Sequence, residues 1–432
     1  MKILLVGDHR DAMNWGGRGQ SIALAQLLGR RFQIASDIAG ETVGDYGAQG
    51  CHVGTMLPYK HFRFLRNNRS KFKPIDWYVR LEEALGARDF VTDDPVETAA
   101  DLIRYRSKNP VLAEIYEKMV AVDLVVINGE GSGVFSTPFR RDFFFHLAMI
   151  ELAVKLGKKA VHVNGIISDC PFTGRNTADV AAARVTLKKC NAVLVRDPES
   201  LEYVRKEMPE VTVDYAPDAL FTWYPIYERF GACVPPNGDL VIPPIEKSEY
   251  FGKLDFSKPY ICIGGSSWAA QFQNQAIDHY LRLLEGVRRL GLSVYLTQNC
   301  GGDRFMQEVA RVSGSGLVPW NTPIMMAGAI LANARAFISG RFHATIFASL
   351  GGTPCIFLDA HSHKMASLQR TLEYEFRKPF PALPAAGDID EIAALAKQYV
   401  AEGDSRRRNL KTVVARRCAE AERLPERILD YL

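Results

Sequence analysis

The sequence predicts an α/β protein built from two doubly wound Rossmann-like domains that face each other across a cleft. Three observations carry this. Short apolar runs of strand length alternate with amphipathic stretches of helix length along most of the chain. The alternation occurs twice, over 1–225 and over 258–402, on either side of a stretch at 226–257 with proline, glycine and mixed charge but no periodicity. The chain's 432 residues also exceed what one hydrophobic core usually organises.

In order, 2–6 reads as a buried strand and 19–28 as a helix that follows the loop Asn14-Trp15-Gly16-Gly17-Arg18-Gly19-Gln20. Between 42 and 120 the rhythm breaks. An insertion at about 42–118 is dense in Tyr59, Lys60, Phe62, Arg63, Phe64, Arg66, Arg69, Lys71, Phe72, Lys73 and Trp77. The strand 123–127 then leads into the glycine-rich loop 128–133. After it come helix 143–156, strand 160–164, helix 181–189, strand 192–195, helix 199–206 and strand 211–215. Residues 226–257 connect the domains. The second domain runs strand 260–264, helix 275–290, strand 293–297, helix 304–312, strand 317–318, helix 324–333, strand 336–339, helix 344–350, strand 354–358 and helix 388–400. A basic helical tail at 403–432 closes the chain.

Composition narrows the function. A formal net charge of +4 is too mild to imply nucleic acid and fits an anionic small substrate or a weak pull toward an anionic membrane surface. No apolar run approaches the ~18 residues that span a bilayer. The first residues read as a strand entering a polar loop rather than a signal peptide, so a cytoplasmic protein is expected. The eight cysteines are scattered without a C-x-x-C pair and read as reduced, mostly buried thiols. No G-x-G-x-x-G follows the first strand. P-loop, H-E-x-x-H and G-x-S-x-G patterns are also missing, and no spacing suggests a metal.

What remains is cationic and titratable side chains at strand ends. After the strand 336–339, Gly340 turns the chain, and Arg341 and His343 follow at once before the next helix. Open α/β sheets bind ligands at that edge, and a helix N-terminus adds unpaired N–H groups and partial positive charge. Guanidinium meets carboxylate or phosphate bidentately, and imidazole exchanges protons near neutral pH. An isolated histidine is more often structural; the strand end is what favours function for His343. Lys364 follows the next strand end, where a solvated loop lysine and a ligand contact are equally good readings. Arg196 ends strand 192–195 and either pairs with Asp197 or faces the cleft. His361 and His363 lack a third spaced ligand for a metal. Asp218 is a cleft carboxylate or, more simply, a turn residue. Glycines after strands let backbone N–H groups approach a ligand, which nominates Asn14, Asn128, Gly129, Gly265 and Ser266, although plain turn geometry explains such loops as well. Thr297-Gln298-Asn299 and Pro319-Trp320-Asn321 end further strands.

Taken together, Ser339-Gly340-Arg341-Phe342-His343, then Ala348-Ser349-Leu350-Gly351-Gly352-Thr353-Pro354, then Lys364 resemble the signature of polysaccharide pyruvyl transferases. The resemblance extends to Asn128-Gly129-Glu130-Gly131, to Val195-Arg196-Asp197-Pro198-Glu199-Ser200 and to Ala216-Pro217-Asp218. It covers most of 1–30 and 120–370 and leaves the insertion and the tail outside. It implies a two-domain fold like that of GT-B glycosyltransferases. It also implies transfer of a pyruvate ketal from phosphoenolpyruvate to two hydroxyls of a sugar, in a bacterial surface polysaccharide or its lipid-linked precursor. By the same resemblance Arg196, Arg341 and Phe342 help hold phosphoenolpyruvate, His343 is the acid/base residue and Lys364 adds positive charge. Neither a metal nor a cofactor is implied. The family's first loop often reads N-x-G-D, whereas Asn14-Trp15-Gly16 is followed here by Gly17, a departure that bears on the acceptor contacts.

The rival reading is a nucleotide-sugar-dependent glycosyltransferase of the same architecture. Such enzymes commonly hold the ribose with a carboxylate of the C-terminal domain, and between 309 and 372 Asp359 is the single acid. The basic tail could touch anionic lipid or a lipid-linked acceptor, but a solvated helical face is the better reading. For the 59–80 stretch the interleaved aromatics leave two readings level, a solvated face and a peripheral contact with anionic lipid or a lipid-linked acceptor at the inner face of the membrane.

Overall fold

The structure, a computed structural model, describes residues 1–40, 52–57, 59–229, 254–375 and 378–432. The first lobe grows around β1 (Lys2–Asp8), an apolar run buried along nearly its whole length. Continuous apolar runs suit parallel strands covered on both faces. The helix Trp15–Leu28 returns the chain to β2 (Gln33–Ala39). A two-stranded antiparallel ribbon follows, β3 (His52–Val53) with β4 (Arg88–Asp89). Then come β5 (Leu124–Phe135), β6 (Lys159–Asp169), β7 (Ala192–Val195) and β8 (Val213–Tyr215). The lobe's sheet is parallel and has the order β2-β1-β5-β6-β7-β8.

The second lobe repeats the plan with β9 (Tyr260–Ser266), β10 (Ser293–Thr297), β11 (Leu317–Val318), β12 (Ala336–Gly340) and β13 (Cys355–Phe357), in the parallel order β11-β10-β9-β12-β13. The strand order reverses between β1 and β5 in one sheet and between β9 and β12 in the other. Ligand crevices of open α/β sheets form at such switch points.

The lobes are fused behind the cleft by one apolar layer. Ile3, Leu5 and Trp15 of the first lobe belong to the same buried cluster as Cys262, Phe337 and Phe347 of the second. Glycine makes the close approach feasible. A Cβ at Gly19 would stand 2.6 Å from Cζ of Phe347, and one at Gly16 would stand 2.6 Å from Nδ1 of His343. The residues 14–20, read above as a loop, are therefore mostly the first turns of the helix Trp15–Leu28. The Asn14 side chain caps it by accepting from the N–H groups of Gly16 and Gly17.

Three expectations are corrected. The break in rhythm ends earlier than 118. Helices Pro95–Tyr105 and Pro110–Val120, capped by Asp94 and Asn109, bury Ala99, Leu102, Leu112, Ile115 and Met119 in the first lobe's own core. Residues 128–133 are not a loop but the interior of β5, which carries a register irregularity between Glu130 and Gly133. The basic tail is solvated on one face only, where Arg408 and Arg416 stand exposed. Helix Ala386–Ala421 is broken at Gly403 (φ 51°). Its second half, with helix Leu424–Asp430, buries Leu410, Val414, Cys418 and Ile428 in the layer between the lobes. Arg407 donates to the carbonyls of Ala332, Ala334 and Gly351, and Arg427 pairs with Asp214. Most of the 226–257 connection lies outside the described residues.

Candidate active site

β12 ends at Gly340, and Arg341 holds an extended conformation (φ −106°, ψ 109°) at the head of helix Phe342–Leu350. Its guanidinium lies against Asp303, with Nε 3.1 Å from both carboxylate oxygens. Burial works against the Arg341 charge, and Asp303 more than restores it, so the group stays protonated. Gly265 is what admits Asp303, because a Cβ there would stand 2.2 Å from its Oδ1. Gly265 thus serves the ion pair rather than a ligand. Ser266 Oγ donates to the carbonyl of Asp359 and accepts from the Trp268 N–H, so it too is structural.

His343 sits two residues on. Its Nε2 is 2.9 Å from Nη1 of Arg196 and 3.2 Å from Oδ2 of Asp218, and those two partners are 3.0 Å apart. Arg196 and Asp218 come from the first lobe, so this triad bridges the cleft. All three are buried, and Asp218 is 0% exposed. Burial opposes the Asp218 carboxylate, but His343 and Arg196 outweigh it and hold its pKa below the usual value. The Arg196 guanidinium lies 4.2 Å above the ring of Phe342, which makes Phe342 a platform for Arg196.

Beside the triad an interlobe cavity of about 590 Å³ opens. Of the residues nominated from sequence, Asn14, Gly129, Arg341 and Lys364 line it. Arg196, Phe342, His343, Asn128, Gly265 and Ser266 do not form its wall. Asn128 is fully buried, donates to the carbonyl of Gly7 and accepts from Asn164. Gly129 is required by packing as well, since a Cβ would meet the His162 ring at 2.2 Å.

Lys364 is the first residue of helix Lys364–Thr371 rather than a loop residue. It is 8% exposed and has no ion-pair partner among the described residues. Burial, reinforced by Arg341, Arg196 and Arg140 and opposed by Glu130, brings its pKa down to about 7. Arg140, facing it from the first lobe, pairs with Asp142 at 2.8 Å. The cavity is therefore walled by cations from both lobes, and burial and like charge weaken the hold of one of them, Lys364, on its proton.

Four groups on the wall or behind it escaped the sequence reading. Glu130 lies on the wall with φ 40°, a left-handed backbone rare for a non-glycine residue. Burial pushes its pKa up, but His9 at 3.2 Å and the charges of His343, Arg196 and Lys364 bring it below the usual value. Its segment is part of the resemblance quoted above, but there only Asn128 and Gly129 stand out as contacts. His361, weighed only as a metal ligand, lies on the wall as well. Its Nδ1 is 2.8 Å from Ser267 Oγ, and its buried Nε2 has no partner among the described residues. The positive charge of Lys364, with burial, holds its pKa well below the usual value. Asp303 and Arg140 carried no motif at all. His363 instead ties the lobes together, 3.0 Å from Asp197.

A model of the polysaccharide pyruvyl transferase family matches residues 52–362. The match starts at β3, so part of the stretch taken above as an insertion outside the resemblance lies within the family's span. No curated protein matches the chain. Among solved structures, the UDP-GlcNAc 2-epimerase of Neisseria meningitidis bound to UDP-GlcNAc is 10% identical with a TM-score of 0.54, over 100% of this chain and 99% of its own. The Staphylococcus aureus MnaA–UDP structure is 10% identical with a TM-score of 0.54, over 100% and 95%. Phytolacca americana UGT2, complexed with UDP-2fluoro-glucose and pterostilbene, is 12% identical with a TM-score of 0.51, over 100% and 99%. At such identities the likeness is one of fold. The chain has the GT-B type architecture of these epimerases and glycosyltransferases.

Proposed function

This chain belongs to the polysaccharide pyruvyl transferase family, a family of transferases, and on that premise we propose that it moves the carbon skeleton of phosphoenolpyruvate onto two hydroxyls of a sugar. The observation that carries the donor is the convergence of Arg341, Lys364 and Arg140 on one interlobe cavity. Phosphoenolpyruvate has a carboxylate and a phosphate, and two anionic groups need several cations held in place. Lys364 completes its charge as the anion arrives.

In this reading His343 protonates the methylene carbon, making C2 an oxocarbenium-like centre. A sugar hydroxyl adds to C2 and gives up its proton, which restores His343. The C2–O bond to phosphate breaks, a second hydroxyl closes the ketal, and its proton leaves with the phosphate. Asp218 and Arg196 orient His343. His343 stands just behind the cavity wall, held by Arg196 and Asp218, so this reading requires the imidazole to reach the cavity when the donor binds. Glu130, kept ionised beside His9, is the group placed to accept hydrogen bonds from the acceptor hydroxyls. The acceptor is a sugar of a surface polysaccharide or of its lipid-linked oligosaccharide precursor, and the reaction takes place in the cytoplasm.

The test is incubation of the protein with phosphoenolpyruvate and a panel of methyl glycosides, reading phosphate release and the mass of the glycoside. One phosphate released per ketal gained supports the reading, and His343→Gln is expected to slow it about 10²–10⁴-fold. Turnover of UDP-sugars with no response to phosphoenolpyruvate contradicts it.

A further inference from the structure

Residues 59–85 hold seven Lys and Arg against three Asp and Glu, a formal +4 that equals the charge of the entire chain. The remainder of the protein sums to zero formal charge, the basic tail's excess being offset elsewhere, so this one place alone matches the net charge of the chain. That place is a two-helix layer, Tyr59–Asn68 and Lys73–Ala84, joined through a 3-10 turn at Arg69–Lys71. Its own core is small, with Phe62, Val79 and Ala87 buried.

Its outer surface keeps large apolar side chains in water. Phe64 is 66% exposed, Phe72 62%, Trp77 66% and Leu85 60%. Trp77 and Leu81 stand one turn apart on the side of their helix away from Val79. Next to Phe72 lies an open groove of about 790 Å³ lined by Arg69, Lys71, Lys73 and Arg80. Arg69 is near Glu83 and Arg80 near Asp76, whereas Lys71 and Lys73 have no carboxylate partner among the described residues. Exposed aromatic rings interleaved with lysines match the headgroup region of an anionic bilayer, where rings sit at the interface and lysines meet lipid phosphate.

We propose that this layer docks the protein on an anionic membrane surface, with Phe72, Trp77 and Leu85 in the interface and Lys71 and Lys73 on lipid phosphates. The ribbon strand that follows the layer touches the back of the cavity wall. Asp89 of β4 pairs with Arg141 at 2.6 and 2.9 Å, and Arg141 lines the cavity next to Arg140. A lipid-linked acceptor then presents its sugar close to its own anchor; that clause rests on the pyruvyl-transfer reading, while the docking does not.

The experiment is flotation of the full chain with vesicles of phosphatidylcholine alone and with one-third phosphatidylglycerol, at low and high salt. Flotation with the anionic vesicles alone, weakened by salt, is expected. Phe72→Ser/Trp77→Ser and Lys71→Glu/Lys73→Glu are each expected to cut the bound fraction at least about tenfold, with unchanged urea midpoints and unchanged phosphoenolpyruvate binding. Arg408→Glu, on the exposed side of the C-terminal helix, is expected to bind as the parent does. Absence of flotation at low salt overturns the proposal. So do variants that float like the parent, and so does an equal loss in Arg408→Glu, which would make the attraction generic. Phosphoenolpyruvate binding measured on the same samples keeps a failure here distinct from a failure of the catalytic reading.

Discussion

His343 and Asp218 come from opposite lobes and meet at 3.2 Å through Nε2 and Oδ2, with Asp218 fully buried. Arg196 shares the same carboxylate oxygen at 3.0 Å. Removing that carboxylate strands a buried guanidinium, which typically destabilises a protein by about 3–5 kcal/mol. Asp218→Ala is expected to lower the urea midpoint accordingly. Where it folds, Asp218→Ala/His343→Gln is expected to be no slower than His343→Gln alone, because the carboxylate acts through the imidazole. Additive losses in turnover would mean that Asp218 has a separate catalytic duty.

Gly16 and Gly17 make a paired test of the helix that faces His343. A Cβ on Gly16 would stand 2.6 Å from His343 Nδ1, whereas one on Gly17 meets nothing closer than the His9 Cβ at 3.4 Å. Gly16→Ala is expected to displace the imidazole, with about 1–3 kcal/mol of overpacking strain and a large fall in kcat. Gly17→Ala is expected to stay within about twofold of the parent, since 1.4 kcal/mol is already tenfold. Steady-state kinetics and denaturant melts on both variants check this.

Lys364 gives the donor affinity a pH dependence of definite sign. Its pKa in the free protein is about 7, and a bound anion raises it. Below pH 7 the ammonium is present before and after binding, so Lys364 adds no slope there and only the ligand's own phosphate, with a second pKa of about 6, titrates. Above pH 7 binding must draw in a proton, so affinity falls as pH rises, by at most about tenfold per unit. Calorimetric titration of phosphoenolpyruvate at pH 8 in two buffers of different ionisation enthalpy should report proton uptake. In Lys364→Met the uptake is expected to vanish.

Arg407 is expected to matter for stability and not for chemistry. It donates to the carbonyls of Ala332, Ala334 and Gly351, the last turn of one helix and the end of another. Thr353 Oγ1 still reaches the carbonyls of Ala332 and Ala334, so Arg407→Met mainly leaves the Gly351 carbonyl without its side-chain donor, at about 1–3 kcal/mol if it stays unsatisfied. A clear drop in the urea midpoint is expected, against no change for the exposed neighbour in Arg408→Met.

Much of this was legible in the sequence because the parallel strands are buried on both faces and so read as unbroken apolar runs, 192–195 and 336–339 among them. Arg341 and His343 were legible for the same reason, as polar groups placed where such a run stops. What was hidden depends on contacts distant in sequence. Asp303 meets Arg341 from 38 residues away. Asp218 does cap the turn it was read as making, by accepting from the Leu220 N–H, and that local role masked its partnership with His343 125 residues on. Glycines at 16, 19 and 265 signalled close approach correctly in kind but not in partner, since side chains of this same protein fill the space. The tail's arginines looked solvated because helical periodicity does not say that a helix crosses to the other lobe.

The measurement that bears most directly on the central claim is calorimetric titration of the parent protein and of Lys364→Met with phosphoenolpyruvate and with UDP at pH 7. The account expects one phosphoenolpyruvate bound per chain, markedly weaker binding in Lys364→Met, and no heat from UDP. Tight UDP binding with no response to phosphoenolpyruvate would contradict it.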